Sequence, residues 1–82
     1  MKKHIELAKK SLADNDSVTL EELEANLNDA YDAWSSEDYK WYAEYASFRA
    51  ARAAYLAARD VNAEYYKQKA REAIAEYEEL TR

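Results

Sequence analysis

Glycine, proline and cysteine are all absent from the 82 residues. Average usage would supply about ten glycines and prolines in a chain of this length. Hairpins, β-bulges and type II turns draw on those residues. Their absence argues for helices joined by short Asp, Asn and Ser junctions. Without cysteine there is no disulfide framework, no thiolate zinc site and no cysteine nucleophile. Without glycine there is no phosphate-cradling Gly-rich loop. No stretch reaches the roughly 18 apolar residues of a membrane span. The basic start MKKHIELAKKS lacks the apolar run of a signal peptide. The expectation is one soluble, cytoplasmic domain, residues 1–82, of a size that buries about 60–65% of its unfolded surface.

Basic residues are missing from one third of the chain. Residues 11–39 hold nine acids (Asp14, Asp16, Glu21, Glu22, Glu24, Asp29, Asp32, Glu37 and Asp38) and no Lys or Arg. Residues 1–10 are net +3 and residues 40–82 net +1, which leaves the whole chain at −5. An electrostatic function belongs in the acidic third.

Periodicity divides the chain into helices at about 2–13, 20–34, 36–59 and 61–81. Ile5, Ala8 and Leu12 mark the first, and Asp14-Asn15-Asp16-Ser17 ends it by competing for the local backbone. Thr19 and Glu22 have the spacing of a capping box, with Val18 and Leu23 placed as its hydrophobic staple. Leu20, Leu23, Leu27, Tyr31 and Trp34 then form one stripe, opposite Glu21, Glu22, Asp29 and Asp32. At the next junction Ser35 is a candidate cap, and Trp34 and Tyr39 a candidate staple. At Arg59-Asp60-Val61-Asn62 a break is expected, with Asp60 capping or Asn62 in a left-handed turn. One continuous helix over the last forty-odd residues is the alternative.

The fold class is therefore all-α, a small three- or four-helix bundle around the segment Tyr39–Arg59. That helix has two faces. Trp41, Tyr45, Phe48, Tyr55 and Leu56 gather on one side at 100° per residue, and Ala46, Ala50, Ala53, Ala54 and Ala57 on the other. The expectation is that the second and fourth helices cover the aromatic side. Helix one docks on the alanines, and failing that a second copy does, giving a homodimer.

Candidate chemistry is sparse. The one histidine, His4, sits among lysines and reads as a solvated residue without a catalytic partner. Asp14, Asp16 and Glu22 resemble a calcium hand only superficially. Counting from Asp14, the sixth position is Thr19 instead of Gly and the twelfth is Ala25. No metal, no cofactor and no enzymatic activity are expected. Direct nucleic-acid binding is disfavoured, because Lys67, Lys69 and Arg71 point in different directions and the protein is acidic overall.

Two surfaces remain as candidates for binding a protein partner. The first is the acidic face of Glu21, Glu22, Asp29, Asp32, Glu37 and Asp38, an array able to imitate nucleic-acid phosphates. It would occupy the basic site of a nucleic-acid-processing protein. Small acidic inhibitors of that style occur among phage anti-defence proteins, including anti-CRISPR proteins, which the chain is similar to in size and charge and not in any motif. The second is the aromatic–arginine set Tyr45, Arg52, Tyr55 and Arg59, with the composition of an interaction hot spot. Arg52 and Arg59 have an internal role as the competing explanation, stacked on tyrosines and reaching carboxylates of helix two. A self-associating assembly component is the alternative function.

Overall fold

In the computed structural model Lys2–Ala13 forms α1, Leu20–Ser36 α2, Trp41–Arg59 α3 and Ala63–Leu80 α4. The structure describes residues 2–36, 41–59 and 62–82, with Lys2, Asn15, Ser36 and Trp41 described by backbone only. Helices account for nearly all of the described residues, and none of these is in a strand. No helix among them is long and apolar enough to cross a membrane.

The α1–α2 junction is built from local side-chain bonds. Asp14 is extended and its side chain accepts from the Asp16 amide, at 3.0 Å. The Ser17 amide donates to the Asp14 carbonyl at 3.1 Å, closing a single 3₁₀ turn over Asn15–Ser17, and Ser17 Oγ adds a second bond to the same carbonyl at 2.7 Å. The capping box then forms in both directions. The Thr19 amide donates to Glu22 Oε1 at 2.9 Å, and the Glu22 amide to Thr19 Oγ1 at 3.1 Å. Val18 and Leu23 are both buried beside it, so the staple fixes how the chain enters α2.

α3 packs most extensively on α4, then on α2 and α1. The core consists of Ile5 and Ala8 of α1, Val18 of the junction, Leu23 of α2, Ala46, Ala50 and Ala54 of α3, and Ala73, Ile74 and Tyr77 of α4. The alanine side of α3 therefore faces inward; of the expected cover on its aromatic side, α2 reaches Tyr45 and Phe48, but that side is not the core. Three helices converge on α3, and small side chains let their backbones approach. The aromatics lie on the flank. Tyr45 is 38% exposed, and Phe48, Tyr55 and Leu56 are only half-buried. α1 docks on the alanine stripe together with α4, so Ala46, Ala50 and Ala54 are not available to a second copy.

Three further expectations change. His4 is 2% exposed. It falls within the same inward stripe as Ile5, Ala8 and Ser11, and Asn26 Nδ2 donates to its carbonyl at 3.2 Å. Ser35 does not cap α3; it lies inside α2, where its Oγ donates to the Asp32 carbonyl at 3.2 Å. Asn62 precedes α4 at φ −92°, on the ordinary right-handed side, and makes no side-chain capping bond. The proposed roles of Tyr39 and Asp60, and the side chain of Trp41, lie outside the described residues. α4 folds back along α3, as the ion pair between Arg49 and Glu76 requires, so the two are not one continuous rod.

Candidate functional site

The solvent side of α2 is acidic along its length. Glu21, Glu22, Glu24, Asp29 and Asp32 are all exposed, because Leu23, Asn26 and Ala30 take the buried side. At 100° per residue Glu21 and Asp32 fall within about 20° of each other at the centre of the outward face. Glu22 and Asp29 lie toward α1, where both already have work. Glu22 is bound to Thr19, and the hydrogen bond from the Thr19 amide holds its carboxyl below its ordinary pKa. Asp29 Oδ2 is 3.5 Å from Lys3 Nζ. The structure thus splits the predicted array into an outward pair and an inward-leaning pair. Glu37 and Asp38, the remaining members, lie outside the described residues.

α4 treats its carboxylates differently. Glu64 pairs with Lys67, Glu72 with Lys69, Glu76 with Arg49, Glu78 with Lys9 and Glu79 with Arg82. Among the described residues Glu21 and Glu24 of α2 make no ion pair. The cause is compositional, since α2 contains no cation and meets α1 only along one edge.

An aromatic cluster not singled out as a site by the sequence sits beside the acidic face. Tyr31 and Trp34 of α2 meet Tyr45 and Phe48 of α3. Trp34 stacks on Phe48 with centroids 5.4 Å apart and planes at 11°. Tyr31 meets Phe48 edge-on at 5.6 Å, and Tyr45 lies 5.2 Å from Trp34. Tyr31 remains 49% exposed. The signal was present in the residues themselves, since Trp34 and Phe48 each belong to an apolar stripe. What the stripes did not convey is that the cluster closes the end of the α2–α3 pair without being buried.

The aromatic–arginine set is dispersed. Arg59 Nη1 donates to Tyr55 Oη at 3.0 Å and its guanidinium lies 5.5 Å from the same ring, so these two form a local pair within α3. Tyr45 is covered by Arg49, whose guanidinium carbon is 5.5 Å from the ring centroid. Arg49, one turn before Arg52, was missed by sequence reasoning. It performs the tie expected of Arg52, although to Glu76 of α4 and not to helix two. Arg52 is exposed and makes no hydrogen bond or ion pair among the described residues.

Buried polar groups accumulate on the inner side instead. His4, Ser11, Asn26, Glu44 and Ser47 are all enclosed. Burial, then the nearby Glu44 carboxylate, push the Tyr77 phenol above its ordinary pKa. Among the described residues no group of three or more His, Asp or Glu side chains is placed to hold a metal ion. No protein-family model, no curated protein and no solved structure matches the chain.

Proposed function

We propose that the protein is a non-enzymatic interaction module whose outward α2 face engages a basic surface on a protein partner. The partner class that suits a row of carboxylates on a rigid helix is a cytoplasmic nucleic-acid-handling protein, whose cationic groove the module would occupy and block. The observation that carries this reading is the contrast between the two acidic helices. The carboxylates of α4 are neutralised by neighbouring cations, whereas Glu21 and Glu24 on α2 face water without a countercharge among the described residues. The half-exposed Tyr31–Trp34 edge supports it, since aromatic anchors beside a charged rim are typical of protein interfaces. A binding role also suits the placement of His4, Glu44 and Ser47, which are sealed at 1–3% exposure, away from any substrate.

The test compares tagged parent protein with a Glu21→Lys/Asp32→Lys variant in affinity capture from nuclease-treated host extract. Both positions are exposed, so the variant should fold like the parent. A nucleic-acid-handling protein enriched by the parent, lost by the variant and released by added salt is the expected result. Identical partners for parent and variant would show that the acids only keep the protein in solution.

A further inference from the structure

A groove of about 210 Å³ runs between α3 and the N-terminal half of α4, lined by Arg49, Arg52, Ala53, Tyr65, Tyr66 and Lys69. Every charged side chain lining it is a cation, in a protein of net charge −5. The carboxylates that pair with two of these cations, Glu76 with Arg49 and Glu72 with Lys69, do not line the groove. Arg52 has no hydrogen bond or ion pair among the described residues and stands exposed at the groove wall. Ala53, buried next to Arg52, adds little bulk to the groove wall. Tyr65 is 59% exposed and meets Tyr66 edge-on at 5.2 Å, while Lys69 Nζ sits 5.5 Å from the Tyr65 ring centroid.

We propose that this groove binds a phosphate monoester carrying an aromatic ring, a ligand of the size of a mononucleotide. Guanidinium forks match phosphate oxygens in a way that single amines do not, and two arginines and a lysine line this groove. The tyrosines add a sequence-tolerant stacking surface for the ring. A volume of 210 Å³ is below the roughly 300–1,000 Å³ of pockets that enclose drug-sized ligands. The phosphate and one ring are therefore held, and the sugar stays in solvent. This site is independent of the acidic α2 face and of opposite charge.

The proposal is tested by NMR amide-shift titration of the whole protein with AMP, ribose 5-phosphate and inorganic phosphate, at constant ionic strength. AMP should shift residues 49–53 and 65–69, and bind more tightly than the other two. Arg52→Glu should weaken AMP by about tenfold or more, the loss expected for a charge-assisted hydrogen bond. Lys10→Glu, the same charge change at an exposed position on α1, should leave AMP binding within about twofold of the parent. Arg52 makes no hydrogen bond or ion pair among the described residues, so its variant should keep the parent's circular dichroism. Diffuse shifts, or equal losses in the two variants, would overturn the site. Ribose 5-phosphate binding as tightly as AMP would overturn the aromatic assignment.

Discussion

At the scale of single residues, the Thr19–Glu22 box gives the sharpest expectation. Both of its hydrogen bonds are formed, and replacing an N-cap threonine by alanine costs about 0.5–2 kcal/mol. Thr19→Ala should lower the urea midpoint accordingly, with an unchanged slope. The box also has a pH signature. Glu22 is held below its ordinary value of 4.5 by the Thr19 amide. A depressed folded-state pKa means its contribution is fully present above the ordinary value and is lost as pH falls through the lowered one. Carboxyl-detected NMR should find Glu22 titrating below 4.5 in the parent. In the Thr19→Ala variant its titration should move up toward that value. Arg52 supplies the contrasting case: exposed and without bonds among the described residues, it should tolerate Arg52→Ala within about 0.5 kcal/mol. A clear fall in melting temperature for that variant would restore the internal-tie role now filled by Arg49. The box was legible in the sequence because all its parts lie within six residues. His4 and Arg52 were not, because their environments depend on which way α1 and α3 turn in the bundle.

That choice of face belongs to the scale of the element. α3 has an aromatic side and an alanine side, and transfer energy alone favours burying the aromatics. Packing decides otherwise. With α1, α2 and α4 all meeting α3, the shared centre has room for methyl groups. Ala46, Ala50 and Ala54 fill it, against Ile5, Ala8 and Ala73. Tyrosine has a phenolic oxygen that needs water or a partner, so a flank position satisfies it at lower cost. Helix existence was readable from period and caps, since those signals are local. The inward face of a two-sided helix was not, because it depends on how many neighbours arrive. The consequence is a volume test. Ala50→Leu places three extra carbons at a position with 0% exposure and should destabilise by about 1–3 kcal/mol or more. Ala58→Leu, on the same helix but exposed, should change stability by no more than about 0.5 kcal/mol. Matched urea denaturation of the two variants separates the faces directly, and equal effects would mean that the alanine side is not the core.

For the whole molecule, the covered alanine stripe bears on whether copies of the chain associate. The Cα radius of gyration of 11.5 Å matches the value of about 12 Å expected for a compact chain of this length. Ala46, Ala50 and Ala54, the part of the alanine stripe that would have served a dimer, are closed by α1 and α4 within the same chain. Among the described residues the Tyr31–Trp34–Tyr45 edge is the one place where exposed rings of two helices cluster, and it adjoins the acidic side of α2. Two copies meeting there would bring two like-charged faces together, which opposes a symmetric contact. The protein should therefore sediment as a 9.5 kDa monomer from micromolar to near-millimolar concentration at physiological salt. Raising the salt screens the acidic faces and leaves the aromatic attraction intact. If any association appears, it should grow with salt and be removed by Tyr31→Asp. A partner with a basic surface would respond in the opposite sense, binding more weakly as salt rises. The sign of the salt dependence thus distinguishes an interaction module from an assembly component. An association that salt dissolves and Tyr31→Asp leaves intact would place self-assembly on a surface other than this edge.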